Sequence, residues 1–381
     1  MFIKQLKKTI LFITGTRADF GKLKPLMLII DKSDDFVCNI FCTGMHTLFR
    51  YDYTYEEIQK SGFSNIFLHI NQTIRSSSDM DLVLSNTVQG LGLYVREFKP
   101  DLIVVHGDRI EALAGAIVGM LNNILVAHIE GGEISGTIDE IIRHSISKMS
   151  HLHFVSNFEA KKRLLQLGEN DESIFVIGSP DIDLMLSKDL PSITKAKTRY
   201  GIEFSEYAIF CYHPVTTELS FLETNINIVI DAIKASGLNY IILYPNNDTG
   251  SDIILKCIKS VMNHKQFKVF SSIRFEHYLT LLRHSLAVVG NSSVGIHEAP
   301  VYGVPTINIG TRQNNRYTGK TIINVKEDKN MILNELKNLP NHVEPSFHFG
   351  KGESATQFIE KLRKTSFWKT SLQKQFNDLK K

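Results

Sequence analysis

Carboxylate side chains follow two of the strands that the sequence predicts in the first half of the chain. Leu102–His106 is an apolar run that predicts a buried strand, and Asp108 follows it. A second predicted strand, 124–129, leads directly to Glu130 and, beyond two glycines, to Glu133. Because glycines let the backbone approach a ligand closely, these carboxylates are expected to face that ligand. Such groups suit general acid–base catalysis, with a helix N-cap at Asp108 and a solvated turn at Glu130 as the structural alternatives.

A helix predicted over 138–149 adds two charged groups to this region. Asp139 and Arg143 are four residues apart and therefore share one face of that helix. The alternative interpretation is an ordinary surface ion pair, which contributes at most about 0.5 kcal/mol. His144 and His151 are possible metal ligands by type, but no ligand cluster accompanies them in the sequence. We therefore expect no metal site.

The turn after the first predicted strand, 9–14, combines glycine with a cation. Gly15 permits a tight turn, and the helix predicted after it offers free N–H groups to an anion. Arg17 adds a guanidinium that can bind phosphate through two hydrogen bonds. The alternative is a strand–helix turn with a surface arginine, since the segment does not match the Rossmann glycine fingerprint.

The second half of the chain places different polar residues after its predicted strands. Ser292 and Ser293 lie between two glycines and precede a helical segment. Their hydroxyl groups and the N–H groups of a helix N-terminus suit a diphosphate, whereas helix capping is the structural alternative. Glu298 accepts but does not donate hydrogen bonds, which suits ribose hydroxyl groups. Further polar residues at strand ends in this half are His213, Asn246 and Arg312. We infer that this half holds a nucleotide diphosphate, while the carboxylates of the first half face a sugar.

The elements that must position these residues alternate along the whole chain. Short apolar, β-branched runs recur between helical patterns such as Met80–Phe98 and Ile110–Leu121. Nearly continuous apolar strands are typical of a parallel sheet that is covered on both faces, so the pattern predicts an α/β protein. A polar, proline-containing stretch after Gly178 indicates a boundary. We predict two doubly wound, Rossmann-like domains over 1–185 and 186–360 with a cleft between them, and ligands at the carboxyl ends of the strands.

Composition excludes several classes of protein. The 381 residues include 43 Lys plus Arg and 40 Asp plus Glu, and the net charge of +3 favours neither a nucleic-acid nor a membrane partner. No apolar run reaches the roughly 18 residues of a membrane-spanning helix, and the N-terminus lacks the features of a signal peptide. Four cysteines without a CxxC pair indicate reduced thiols, so we expect a cytoplasmic protein.

Taken together, these segments resemble the hydrolysing UDP-N-acetylglucosamine (UDP-GlcNAc) 2-epimerases of bacterial sialic acid synthesis. The resemblance covers nearly the whole chain and is most specific over 128–147 and in Gly290-Asn291-Ser292-Ser293. It implies a glycosyltransferase-B-like fold of two Rossmann-like domains, with a C-terminal helix over 361–381 that returns to the first domain. It also implies a homodimer or homotetramer and no cofactor.

The reaction that the resemblance implies converts UDP-GlcNAc and water to N-acetylmannosamine and UDP. In the first step a base removes the C2 proton while UDP leaves C1, which produces 2-acetamidoglucal. In the second step water adds to the double bond with the opposite configuration at C2. The C2 proton is very weakly acidic, so several carboxyl groups with pKa values set by their surroundings are expected.

The resemblance also assigns roles by position. It implies that Asp108, Glu130 and Asp139 are catalytic carboxylates, and Glu133 accompanies them after the same strand as Glu130. The residues that match UDP contacts of the family are Arg17, Gly21, Arg109, His213, Asn246, Ser292, Ser293, Glu298 and Arg312. We hypothesise that Asp108 or Glu130 handles the C2 proton and that Asp139 acts in the addition of water.

Two residues depart from the family pattern, and other activities fit the same motifs. Related sequences often have arginine in place of His297 and a second aspartate in place of Glu140. The alternatives are a hydrolysing UDP-N,N′-diacetylbacillosamine 2-epimerase of the legionaminic acid route and a non-hydrolysing UDP-GlcNAc 2-epimerase. A glycosyltransferase would not need the clustered acids, and a nucleotide-sugar binding module would bind without turnover.

Overall fold

The structure is a computed structural model that describes residues 7–72, 79–340 and 343–378. The chain divides into two compact units. The first is drawn from Met1–Glu133, Asp139–Leu186 and Phe349–Lys381, and the second from Ile134–Ile138 and Ser187–His348. Each unit contains one parallel sheet with helices between its strands, as the alternating sequence pattern predicts.

The strands of the described residues are numbered in chain order. They are β1 Lys8–Thr14, β2 Phe36–Cys42, β3 Ile66–Leu68, β4 Leu102–His106, β5 Leu125–Ile129, β6 Leu152–Val155, β7 Ile174–Val176, β8 Ala208–Cys211, β9 Tyr240–Leu243, β10 Phe267–Phe270, β11 Val288–Gly290, β12 Thr306–Ile309 and β13 Ile322–Val325.

The α-helices are numbered in the same way. They are α1 Arg17–Asp31, α2 Tyr55–Gln59, α3 Met80–Phe98, α4 Ile110–Leu121, α5 Asp139–Met149, α6 Phe158–Gln166, α7 Asp181–Met185, α8 Ile193–Tyr200, α9 Leu222–Ala235, α10 Ser251–Val261, α11 Phe275–Arg283, α12 Val294–His297, α13 Lys329–Lys337 and α14 Ser354–Leu362. Short 3-10 turns separate some of them.

The first unit is built on a seven-stranded sheet in the order β3-β2-β1-β4-β5-β6-β7. All its pairings are parallel, and every residue of β4 and β5 is buried. This burial explains why both strands are continuous apolar runs. The chain order reverses between β1 and β4, and loops at such a switch point form the ligand site in open α/β sheets.

The second unit contains a six-stranded parallel sheet in the order β10-β9-β8-β11-β12-β13. Its switch point lies between β8 and β11, whose residues are all buried. His213 therefore follows one switch-point strand, and Ser292 and Ser293 follow the other. The predicted fold class, α/β with two doubly wound Rossmann-like domains, is confirmed.

Two strands were not predicted from the sequence, and both lie at sheet edges. β3 and β13 consist largely of half-buried or exposed residues; β3 has only three residues, and Asn324 interrupts the apolar run of β13. The helical patterns over Met80–Phe98 and Ile110–Leu121 form α3 and α4 with the predicted limits.

The predicted C-terminal helix over 361–381 is wrong. Helix α14 ends at Leu362, Phe367–Lys369 forms a short 3-10 turn, and residues 371–378 are not helical. The physical reason is tertiary: Lys374 Nζ donates to the carbonyls of Ser147, Lys148 and Ser150 at 3.1, 3.0 and 2.6 Å. These carbonyls lie at the end of α5, where they have no partners within the helix.

The return of the chain to the first unit begins at Phe349 rather than near 361. Ser179 N donates to Phe349 O at 2.6 Å, and the Phe358 ring of α14 lies 4.8 Å from that of Phe154 in the core. Within the part of the chain that the structure describes, no helix is both long and apolar enough to span a bilayer.

Candidate active site

The carboxyl ends of β4 and β5 bring polar side chains together in the first unit. The register pairs His106 with Ile129, so the residue after β5, Glu130, is near the end of β4. Glu130 has a positive φ of 62°, a conformation that a side chain other than glycine rarely adopts. Its N–H donates to Phe154 O at 2.9 Å, which fixes the strained backbone against β6. Such strain is common at functional sites.

The Glu130 carboxylate is buried next to a hydroxyl group, an ammonium group and an imidazole ring. Ser179 Oγ donates to Oε1, and Lys22 Nζ lies 3.7 Å from the same oxygen. Oε2 lies 3.1 Å from His106 Nε2, which is within ion-pair distance. The angle between the two groups is not that of a hydrogen bond. Lys22 is also 3.6 Å from Asp181, so Glu130 belongs to a buried network of alternating charges.

His106 connects this network to helix α1. Its Nδ1 lies 2.7 Å from Asp19 Oδ1, so both ring nitrogens face carboxylates. Burial lowers the pKa of His106, but the charge of Glu130 and the hydrogen bond and charge of Asp19 outweigh it and raise the pKa to about 10. The ring is therefore an imidazolium at neutral pH.

Arg143 gathers the predicted carboxylates. It is buried on α5, and its Nη2 donates to Asp108 Oδ2. Burial lowers the pKa of Arg143, yet the charges of Asp108, Glu133, Asp139 and Glu130 together raise it. Of the four predicted catalytic carboxylates, Asp108 accepts a hydrogen bond from this guanidinium, and the other three affect its pKa through their charge. The alternative of a surface ion pair between Asp139 and Arg143 is wrong because Arg143 is only 5% exposed.

The N-cap alternative for Asp108 does not hold either. The residue before α4 is Arg109, which caps the helix without a side-chain hydrogen bond. Asp108 instead reaches the α5 guanidinium across 35 positions of sequence. Its side chain is 22% exposed, compared with 9% for Glu130. Asp108 is therefore the more accessible of the two.

The two glycines after Glu130 are explained by packing within the first unit. A Cβ at Gly131 would meet the His128 ring, and one at Gly132, where φ is +75°, would meet the Ala160 carbonyl. Beyond them, Glu133 accepts a hydrogen bond from Ser156 Oγ. The end of β5 therefore packs closely against helix α6 and against His128. The expectation that the two glycines also let the backbone approach a ligand stays a prediction.

Three further predicted residues lie on or beside the helices of the first unit. Arg17 begins α1 and donates from Nη2 to Glu57 Oε1 at 2.7 Å. Gly21 is buried within α1. Arg109 Nε lies 3.5 Å from the buried carboxylate of Glu111.

In the second unit, Asn291 ties the predicted strand ends together. Its side chain accepts from His213 N at 2.6 Å and donates to His213 O at 2.9 Å, which joins the ends of β8 and β11. His213 Nδ1 accepts from Asn246 N at 3.0 Å, which adds the end of β9 and places the proton of a neutral ring on Nε2. Three predicted regions are therefore fixed to one another.

The loop after β12 also converges on Asn291. Arg312 Nη1 and Gln313 Nε2 donate to Asn291 O at 3.4 and 2.7 Å. Ser292 and Ser293 follow directly, but the helix after them, α12, spans only Val294–His297, so its dipole is shorter than the sequence suggested. Glu298 follows α12 and is buried.

Sequence reasoning missed several residues of these networks. They are Asp19, Lys22, His106, Ser179 and Asp181 in the first unit and Asn291 as a structural tie in the second. His106 ends a buried strand and Ser179 follows β7, so the rule that polar residues gather at strand ends applies to both. Among the described residues, no group of three or more His, Cys, Asp or Glu side chains is arranged to hold a metal ion.

Solved structures of UDP-GlcNAc 2-epimerases share the fold of this chain. The structure matches UDP-GlcNAc 2-epimerase from Neisseria meningitidis bound to UDP-GlcNAc with a TM-score of 0.76 at 17% identity, covering 93% of this chain and 99% of that one. It matches the Methanocaldococcus jannaschii enzyme in complex with UDP-GlcNAc and UDP with a TM-score of 0.78 at 21% identity and the same coverage. At these identities the similarity establishes the fold.

Sequence comparison goes further. The chain is 45% identical to a UDP-N-acetylglucosamine 2-epimerase of Neisseria meningitidis serogroup B, over 98% of this chain and 99% of the relative. It is 32% identical to the hydrolysing UDP-N,N′-diacetylbacillosamine 2-epimerase of Legionella pneumophila, over 93% and 96%. It is 36% identical to polysialic acid biosynthesis protein P7 of Escherichia coli, over 86% and 84%. A sequence model described as UDP-N-acetylglucosamine 2-epimerase matches residues 29–363, and the chain therefore belongs to the UDP-N-acetylglucosamine 2-epimerase family.

Proposed function

We propose that the protein is a hydrolysing UDP-GlcNAc 2-epimerase that releases N-acetylmannosamine and UDP for sialic acid synthesis. The observation that carries this proposal is the contact of buried Arg143 with Asp108, which follows β4, together with buried Glu130 at the end of the neighbouring strand β5. Inversion at C2 requires a proton to leave one face of the sugar and a proton to return to the other. Separate carboxyl groups can perform these two transfers.

The roles follow from accessibility and charge. Asp108 and Glu130 handle the C2 proton, and Asp139, in the first turn of α5, acts on the water that adds to C1 of the glucal. Arg143 donates a hydrogen bond to Asp108 and so orients its carboxyl group. An Asp139→Asn variant should therefore eliminate UDP from UDP-GlcNAc but hydrate authentic 2-acetamidoglucal slowly. Full-rate hydration by this variant would refute the role of Asp139.

The second unit supplies the nucleotide contacts in this proposal. Ser292, Ser293 and Arg312 surround the Asn291 tie and offer hydroxyl and guanidinium donors for phosphate oxygens. Glu298 offers a carboxylate for ribose hydroxyls. Gly21, Arg17 and Arg109 are proposed contacts from the first unit.

The second candidate substrate is UDP-N,N′-diacetylbacillosamine, which is favoured by the relation to the Legionella pneumophila enzyme. A coupled assay of UDP release with both nucleotide sugars at equal concentration separates the two candidates. We expect kcat/KM for UDP-GlcNAc to exceed that for the diacetylated sugar at least tenfold. The reverse ratio would replace the proposed substrate but not the elimination and hydration chemistry.

A further inference from the structure

The buried histidine at the end of β4 has partners that the reaction scheme does not yet use. His106 lies between Asp19 of α1 and Glu130 after β5, at 2.7 and 3.1 Å. All three side chains are buried, so water does not screen their charges. A neutral imidazole has one donor nitrogen and one acceptor, but here both nitrogens face carboxylate oxygens. The ring therefore carries both protons, or one proton is shared with a carboxyl group.

From this geometry we propose that Asp19 and His106 are positioning residues that orient the Glu130 carboxylate and hold it as an anion, ready to act as a base. The inference rests on the proposed role of Glu130 at C2. The His106 ring keeps both of its protons during the reaction: the Nδ1 proton is directed at Asp19, and the Nε2 proton lies beside Glu130 Oε2.

The proton balance closes over one turnover. As UDP leaves with the electron pair of the C1–O bond, the C2–H bond breaks, its electron pair forms the C1–C2 double bond, and an O–H bond forms on Glu130. In the hydration Asp108 gives a proton to the opposite face of C2, and Asp139 holds the proton taken from water. One of the protons on Glu130 and Asp139 restores Asp108 by way of solvent, and the other leaves the enzyme with the UDP product.

Other titratable groups near the His106 ring influence its protonation state. Those that face it or its carboxylate partners are Lys22 of α1, Asp181 of α7 and His128 of β5. Lys22 stabilises the Glu130 carboxylate, while burial lowers the pKa of His128 to about 3 and so leaves that ring neutral. Two carboxylates therefore stabilise the His106 imidazolium, and the charge of one nearby cation, Lys22, opposes it.

The charge of His106 can be measured without substrate. In the full chain labelled with ring-15N histidine, two-dimensional NMR distinguishes a cationic ring from either neutral tautomer, and a His106→Gln variant identifies the signal. We expect the wild-type His106 ring to stay cationic from pH 6 to 9, because its folded pKa is raised, and to titrate at least one pH unit lower in Asp19→Asn. A ring that is neutral at pH 7.5 in the wild type would overturn the proposal.

Kinetics test the role in the reaction. With UDP-GlcNAc, Asp19→Asn should lower kcat at least tenfold, leave KM within threefold, and move the alkaline limb of the kcat profile at least one pH unit lower. The control is Asp35→Asn, which changes an exposed aspartate paired with Arg363 at 2.9 Å and should match the wild type.

The two arms separate the possible failures. If Asp19→Asn keeps the wild-type kcat and pH profile, the proposed role of His106 is refuted. If the wild-type chain does not release UDP from UDP-GlcNAc, the proposed function fails, while the NMR titration still decides whether Asp19 and Glu130 hold an imidazolium.

Discussion

The switch-point edges of the two sheets use similar scaffolds in different ways. In the first unit, charged side chains contact one another: His106 lies between two carboxylates, and Arg143 binds Asp108. In the second unit, the neutral side chain of Asn291 binds the backbone of His213 at both its N–H and its carbonyl. A network of buried charges can take up and release protons. A network of amides instead fixes loops in place, which suits the binding of a charged ligand.

The two histidines illustrate the difference most directly. His106 contacts only carboxylates through its ring nitrogens, whereas His213 Nδ1 accepts from a backbone N–H and its Nε2 lies 3.3 Å from Cys211 Sγ. The same residue type is therefore a cation in one unit and a neutral acceptor in the other. Residue type and strand-end position alone do not distinguish these roles.

The largest expected effect follows from removing the charge at Glu130. Glu130→Gln should reduce kcat for UDP release by about a thousandfold, within the range for loss of a general acid or base. UDP affinity, measured by calorimetry, should stay within threefold because the proposed UDP contacts lie mainly in the second unit. The control Glu159→Gln alters an exposed residue of α6 and should behave as the wild type. A Glu130→Gln variant with near-normal kcat would contradict the proposal that the first unit transfers protons while the second unit binds the nucleotide.

The converse change is Asn291→Ala in the second unit. It removes two hydrogen bonds to His213 and should cost about 2 kcal/mol in the free energy of unfolding. Because the strand ends lose their tie, UDP affinity should fall about tenfold, with a smaller change in kcat. Calorimetry and denaturant unfolding measure both effects, with exposed Asn338→Ala as the control. Unchanged UDP affinity would mean that Asn291 does not organise the nucleotide contacts.

A smaller effect is expected where the C-terminal segment holds α5. Lys374 Nζ lies 2.6 Å from Glu169 and caps three carbonyls, so Lys374→Met should cost about 1 to 2 kcal/mol of stability at pH 7. Burial raises the pKa of Glu169, but the hydrogen bond and charge of His153 and the charge of Lys374 outweigh it and lower the pKa to about 2.

The sign of the pH dependence follows from that depressed pKa. The stability that ionised Glu169 contributes is present above its ordinary range near pH 4.5 and is lost as the pH falls toward 2. The difference between wild type and Lys374→Met, measured by denaturant unfolding, should therefore shrink below pH 4.5. Exposed Lys364→Met is the control. A difference that grows on acidification would show that Glu169 is not the partner that matters.

The smallest expected effect compares one helix cap in each unit. The hydroxyls of Thr16 and Ser192 accept from the N–H groups of Asp19 and Lys195 at 3.0 and 3.3 Å. Thr16→Ala and Ser192→Ala should each lower the melting temperature and cost about 1 kcal/mol. Only Thr16→Ala should also lower kcat, by a few fold, because its cap positions Asp19. Equal kcat values in both variants would argue against a functional role for this turn.

Much of the fold was predictable because interior strands leave an unmistakable pattern. Apart from His106 and His128, β4 and β5 are apolar since both faces are buried, whereas the edge strands β3 and β13 were not predicted because they are short and largely half-buried or exposed. The resemblance implied a helix over 361–381, but contacts of Lys374 with the end of α5 hold residues 371–378 in a non-helical conformation. Such contacts connect positions more than 200 residues apart and leave no local signal.

In the candidate site, likewise, the local sequence predicted which residues are present but not which groups they contact. Asp108, Glu130, Glu133 and Asp139 were selected by their positions after strands and at a helix start. The contact between Asp108 and Arg143 is set by tertiary structure, because it joins residues 35 positions apart. The Asp19 contact to His106 likewise joins residues 87 positions apart.

The central claim is that carboxyl groups of the first unit exchange the C2 proton and that water then releases the sugar. The most direct measurement is incubation of the full chain with UDP-GlcNAc in deuterated water, followed by NMR of the products. The account predicts free N-acetylmannosamine with deuterium at C2 and one equivalent of UDP. Accumulation of UDP-N-acetylmannosamine without release of UDP, or a free sugar that retains its original C2 proton, would contradict it.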